Sequence, residues 1–199
     1  MTEIQAPFSL PAPNPALTHF VRVSDGDFSA AECSDLIALY NAHSAQQERN
    51  GRGHRQGLED SAWTEFNLSR HAPEALLQRL RQHIDAALAR YNSAVGLSMP
   101  VPPSAKLADF ILKRYQPGGA ERFQLHFDSI YAVSNRYLVF LWYLNDVPGG
   151  GETVFPDLEL AVQPAAGRLL MFPPYWMFQH AGEPPVGGDK YILSTYLLF

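Results

Sequence analysis

From Leu107 to Phe199 the chain shows no helical periodicity, and its apolar residues come in short runs broken by Gly, Pro, Asn and Asp. LADFILKRY, RFQLHFD, RYLVFLWYLN, ETVF, GRLLMFP and KYILSTYLLF have strand length and are rich in β-branched and aromatic residues. QPGGA, NDVPGGG and PPVGGD separate some of them and carry turn residues. A parallel sheet needs a long crossover, usually a helix, between successive strands, and this half of the chain supplies none. The strands must therefore close on themselves as a sandwich or barrel, with any helices packed outside.

The helices belong to the first half. Ser29-Ala-Ala-Glu32 has the spacing of a capping box and precedes Cys33, Leu36, Ile37 and Tyr40 on one helical face. This predicts a helix ending near Gln47. A second helix is expected to start near Pro73, with a stripe of Leu76, Leu77, Leu80, Ile84, Leu88 and Tyr91, and to end before Gly96. Between them, residues 48–62 (ERNGRGHRQGLEDSA) are polar, glycine-rich and without period. They predict a long loop, either a solvated connection or a lid bringing Arg49, Arg52 and Arg55 to a substrate. Four prolines in residues 1–18 predict an extended arm. The expected organisation is one domain: arm 1–18, helical support 19–105, β core 106–199.

Composition narrows the function classes. Of 199 residues, 46% are apolar and 18% charged, which excludes disorder. A net charge of −5 argues against general nucleic-acid or membrane-surface binding. Cys33 is the single cysteine, so no intramolecular disulfide forms. No stretch has the length of a membrane span, and the first residues lack the basic start and apolar run of a signal peptide. The expectation is a soluble, cytoplasmic protein of unknown oligomeric state.

Chemistry-bearing residues concentrate in the β half. His126 and Asp128 are two apart in RFQLHFD, so on a strand both project to one face together with Gln124. By itself this spacing is weak, because seven His and ten Asp in 199 residues give about one such pair by chance in three chains. A third ligand from a distant strand would change that, and His180 in MFQHAGEPP is the candidate. Two His and one carboxylate suit a facial triad on non-haem Fe(II) with positions left open. A structural zinc site would be closed by four ligands and richer in cysteine. His19, His43, His54, His71 and His83 fit surface or packing positions better. Lys190 opens the last strand, where Lys190, Ile192, Ser194 and Tyr196 share a face. An inward lysine needs an anionic partner. The bland alternative is a solvated lysine at a strand end.

Three ordered blocks, YQPGGAERFQLHFD, YLNDVPGGGETVFP and HAGEPPVGGDKYILSTYL, resemble the signature segments of prolyl 4-hydroxylase-like Fe(II)/2-oxoglutarate dioxygenases. The resemblance spans about Leu107 to Phe199, with a looser likeness around ECSDLIALY. It implies a mainly β fold, a double-stranded β-helix (a distorted, cupin-like jelly roll) with flanking helices. It implies that His126, Asp128 and His180 hold Fe(II) and act in catalysis, and that Lys190 pairs with the distal carboxylate of 2-oxoglutarate. Tyr115 and Ser194 match positions lining the co-substrate pocket. Trp142 stands where some members carry a pocket tyrosine, and is taken with Arg49, Arg52 and Arg55 as a substrate contact. O₂ is the implied co-substrate, with ascorbate as an accessory.

The implied reaction is hydroxylation of an unactivated C–H with decarboxylation of 2-oxoglutarate to succinate. Asp128 argues against halogenation, where halide replaces the carboxylate. The short chain favours a free amino acid or other small metabolite as substrate. The alternatives are a peptidyl prolyl hydroxylase and a β-helix module that binds a metal or acid without turnover.

Overall fold

The computed structural model describes residues 16–199. The expected arm lies outside the described residues up to position 15, and Leu17–Phe20 form a short 3-10 turn. The first half contains β1 (Arg22–Ser24), α1 (Ala30–Ala42), β2 (Glu48–Gly51), β3 (Ala62–Asn67), α2 (Leu68–His71) and α3 (Glu74–Val95). The second half contains β4 (Ile111–Tyr115), β5 (Phe123–His126), β6 (Arg136–Tyr143), β7 (Gly149–Gly150), β8 (Thr153–Phe155) and β9 (Leu160–Val162). It ends with β10 (Leu169–Phe172), β11 (His180–Gly182), β12 (Pro185–Val186) and β13 (Lys190–Leu198).

The larger sheet runs β1-β10-β6-β13-β4-β3-β2, and the smaller runs β5-β11-β8-β9. The strand pairs within both sheets are antiparallel. Together they make the double-stranded β-helix, and α1 and α3 cover the outer face of the larger sheet.

Alternation along the strands builds two cores. Leu138, Phe140 and Trp142 of β6, with Leu193 and Leu197 of β13, face the helices and meet Leu36, Tyr40, Ile84 and Leu88. Val139 and Tyr143 of β6, with Ile192 of β13, face the smaller sheet and meet Phe155, Phe172 and Phe178. Phe66, Phe140, Phe155 and Phe172 have no exposed surface. Each such burial stabilises the fold by roughly 1.5–3 kcal/mol.

The helix ends follow from local chemistry. Ser29 Oγ accepts from the Glu32 N–H at 3.2 Å, and the Glu32 carboxylate accepts from the Ser29 N–H at 2.8 Å. This closes the capping box of α1. α1 stops at Ala42, and a 3-10 turn over Ser44–Gln46 carries the chain to the expected end. α3 begins after Pro73 and ends at Gly96, whose φ of 65° a side chain would disfavour. No helix of the described residues is long and apolar enough to cross a membrane.

The stretch 48–62 differs from the expected loop. Glu48–Gly51 form β2, an edge strand paired with β3, and only residues 52–61 turn at the hairpin tip. β2 is polar and mostly exposed, so no apolar alternation betrays it. Gly51 is obligatory here, because a Cβ at its φ of +89° would collide with the Ser61 carbonyl.

Candidate active site

β5 and β11 pair so that His126 and His180 stand opposite one another. Asp128 follows β5 where its backbone N–H donates to the Pro174 carbonyl at 3.1 Å. One ligand atom from each of His126, Asp128 and His180 lies within 4.8 Å of the others. The Asp128 carboxylate bridges the pair: Oδ1 is 3.5 Å from His126 Nε2, and Oδ2 is 3.5 Å from His180 Nε2.

The imidazoles are held from behind. His126 Nδ1 bonds the Gln124 carbonyl at 2.8 Å, and His180 Nδ1 bonds the Phe178 carbonyl at 3.0 Å. A carbonyl only accepts, so each Nδ1 carries the proton and each Nε2 keeps a free lone pair. Burial pushes His180 down to about 4, helped by His126 and opposed by Asp128, so it is neutral at physiological pH. Burial alone would raise the Asp128 carboxyl, but the two imidazoles and the Arg136 guanidinium pull it the other way, below the usual carboxylate range. The Tyr196 hydroxyl donates to Asp128 Oδ1 at 3.0 Å and fixes the carboxylate's orientation.

The triad opens onto a pocket lined by Lys113, Tyr115, Phe123, Thr153, Lys190 and Ser194, among others. Lys190 is 2% exposed. Its Nζ donates to the Gly151 carbonyl at 2.8 Å and lies 4.8 Å from the centre of the Tyr115 ring. Burial pushes its ammonium down to about 7, with Glu152 opposing. At Gly151, where φ is +76°, a Cβ would come within 3.2 Å of Lys190 Cδ, so the close approach needs glycine.

These residues fit a divalent metal and a dicarboxylate. Two imidazoles and one ionised carboxylate occupy one side of a site, and a buried ammonium closes the pocket beside it.

Residues 110–198 match the family model described as the 2OG-Fe(II) oxygenase superfamily, 2OG being 2-oxoglutarate. This segment is a 2OG-Fe(II) oxygenase domain.

The oxygenase domain is prolyl 4-hydroxylase-like. The chain is 27% identical over 138 residues to prolyl 4-hydroxylase subunit alpha-2 of Gallus gallus, covering 59% of this chain and 24% of that protein. It is 26% identical over 152 residues to prolyl 4-hydroxylase 13 of Arabidopsis thaliana, covering 59% and 54%. The chain thus spans about a quarter to half the length of these curated relatives. Two solved structures share the fold. A Trichoplax adhaerens prolyl hydroxylase, in complex with a hypoxia inducible factor peptide fragment, has a TM-score of 0.71 at 16% identity, covering 91% of this chain and 84% of that one. A Pseudomonas putida prolyl-4-hydroxylase has a TM-score of 0.65 at 21% identity, covering 91% and 93%. The cofactors of the family are Fe(II) and 2-oxoglutarate, with O₂ as co-substrate.

The oxygenase domain gathers His126, Asp128, His180, Lys190, Tyr115 and Ser194 around one pocket. It does not bring Trp142 there. Trp142 is fully buried on the helix side of β6, stacked on Phe28 with ring centres 5.0 Å apart. Its indole N–H donates to Asp27 at 2.6 Å. Its neighbour Tyr143 faces the smaller sheet and donates to the pocket residue Thr153 at 2.6 Å. Arg49, Arg52 and Arg55 are all exposed and outside the pocket lining. Arg52 Nε donates to the Glu59 carbonyl at 2.8 Å and stiffens the hairpin tip.

Sequence reasoning missed Lys113, two residues before Tyr115 and on the same strand face. The period that linked Lys190 to Ser194 would have found it. It also missed the clamp made by Gln124. The Gln124 side-chain carbonyl accepts from the Asp60 N–H at 3.0 Å, and its amide donates to the Gly57 carbonyl at 3.0 Å. The 52–61 tip is thereby tied to the strand that carries His126.

Proposed function

We propose that this chain is a 2-oxoglutarate-dependent hydroxylase acting on a proline within a peptide or protein. The observation that carries the oxygenase reading is the convergence of His126, Asp128 and His180 beside inward Lys190. His126, Asp128 and His180 would hold Fe(II), and Lys190 with Tyr115 would receive the distal carboxylate of 2-oxoglutarate. The bound metal supplies oxidation by O₂, in which 2-oxoglutarate, O₂ and a C–H become succinate, CO₂ and C–OH.

The chain itself does the rest. The Phe178 and Gln124 carbonyls aim the imidazoles, and Tyr196 orients the carboxylate. Phe155, Phe172 and Phe123 pack against the two histidines and exclude water from their sides. The peptide substrate is supported by the Trichoplax adhaerens prolyl hydroxylase, whose structure is a complex with a hypoxia inducible factor peptide fragment. It also suits the β2–β3 hairpin, whose tip lies against β5 and offers an extended chain a wall. These observations favour a peptide over the free amino acid or small metabolite expected from the chain's length.

The test is turnover of capped proline peptides, free proline and other free amino acids with Fe(II) and 2-oxoglutarate. The expected result is a gain of one oxygen on peptidyl proline, matched by one succinate per turnover. Hydroxylation of a free amino acid with every peptide inert would reject the peptide substrate. Absence of O₂-dependent succinate with all of them would reject the enzyme.

A further inference from the structure

The pocket is lined by a second lysine besides Lys190, Lys113. Lys113 stands opposite Ile192 on β13, while Tyr115 stands opposite Lys190. Lys113 is therefore one same-face step, about 7 Å, along the sheet from the Lys190 level. The step leads toward Tyr196, which holds Asp128, so Lys113 lies on the metal side of Lys190.

Its surroundings give its charge no close ion pair, and Glu65 and Asp128 act on it only from beyond 4.0 Å. Nζ lies 5.8 Å from the centre of the Trp63 ring and 5.7 Å from that of Phe123. Its cross-strand neighbour is Glu65, whose carboxylate already accepts the Trp63 indole N–H at 2.6 Å. Among the described residues, the ion pairs within 4.0 Å do not include Lys113. A half-buried ammonium without a partner costs free energy unless a ligand brings an anion.

A further cation, Arg136, stands beside the triad. The Arg136 guanidinium stacks 3.9 Å from the centre of the Tyr196 ring and donates to the Asp128 carbonyl at 3.2 Å. The two carboxylates of 2-oxoglutarate are accounted for by Lys190 and the metal.

We infer that Lys113 is a specificity residue that receives a carboxylate of the substrate next to the carbon to be oxidised. That carboxylate is either an acidic side chain flanking the target proline or the C-terminal carboxylate of the proline itself. The identity of the oxidised residue rests on the prolyl hydroxylase reading; the need for an anion does not.

The experiment is calorimetric binding to protein loaded with Mn(II) and 2-oxoglutarate. The probes are N-acetylproline, its amide, and capped tetrapeptides with proline followed by glutamate, glutamine or lysine. Wild type should bind a carboxylate probe at least about tenfold more tightly than its neutral partner, the scale of one charge-assisted hydrogen bond. Lys113→Met should abolish that preference with 2-oxoglutarate affinity unchanged, and Lys113→Arg should keep it. Lys113→Glu should turn it toward the lysine peptide. Whichever carboxylate carries the preference identifies its source. Equal affinity for charged and neutral probes, or no binding by any carboxylate probe, overturns the inference. So does a Lys113→Met variant whose loss falls on 2-oxoglutarate, which would put Lys113 on the co-substrate. Turnover of the same panel reads the prolyl assignment separately: a carboxylate preference without proline oxidation rejects the prolyl substrate and leaves Lys113 in its role.

Discussion

His126 and His180 face one another across the β5–β11 pair with ring centres 4.3 Å apart, although 53 positions separate them in the chain. Antiparallel pairing delivers both imidazoles to one spot, and Asp128 takes a position between them. Lys190 lines the same pocket as this trio. This juxtaposition governs the predictions.

Lys190 is expected to set the affinity for 2-oxoglutarate through its charge. Its ammonium is ionised below about pH 7 in the free protein. A bound carboxylate favours the charged form, so binding above that pH takes up a proton. Affinity should be flat below pH 7 and fall by up to about tenfold per pH unit above it. Calorimetry in buffers of different ionisation enthalpy should show proton uptake at pH 8 and little at pH 6. Lys190→Met should weaken 2-oxoglutarate binding at least about 30-fold, as loss of a buried ion pair does, and leave metal affinity intact. Unchanged 2-oxoglutarate affinity would remove Lys190 from this role.

Gln124 is expected to control the hairpin tip. Gln124→Ala removes the hydrogen bonds to Asp60, Ser61 and Gly57 made by its side chain. Limited proteolysis should then cut residues 52–61 several times faster, since a tip released from its clamp opens more often. KM for a peptide substrate should rise while KM for 2-oxoglutarate stays constant. An equal rise in both would mean that the substitution disturbs β5 itself.

Trp142→Phe is expected to lower stability and spare the pocket. The Asp27 carboxylate would lose the indole N–H and keep its contacts to Arg90 and His83. A cost of about 1–2 kcal/mol should lower Tm by about 2–8 °C. Affinity for 2-oxoglutarate should not change. A change in substrate selectivity would contradict the placement of Trp142 among the helix-facing residues.

The strands that bury one face or both were legible because their apolar runs and turn residues agree with what the sheets demand. β6 and β13 are the clearest cases. The triad was legible once the spacing of His126 and Asp128 was joined to a distant His180 and to Lys190. β2 was not legible, because an exposed edge strand has no apolar side to declare it. Trp142 was misplaced because strand period fixes which residues share a face but not which face turns inward. Register against β10 and β13 settles that, and register is a property of the pairing. Lys113 lay within reach of the same period-two reasoning that found Ser194.

The most direct measurement is metal content and O₂-dependent succinate release compared among wild type, Asp128→Ala and His180→Ala, with circular dichroism to establish folding. Wild type should bind about one Fe(II) per chain and release succinate. Each folded variant should lose Fe(II) affinity by at least about tenfold, the scale on which even supporting residues of a metal site act, and fall to background succinate. Folded Asp128→Ala and His180→Ala proteins that keep wild-type iron affinity and succinate release would contradict the shared metal centre on which the rest depends.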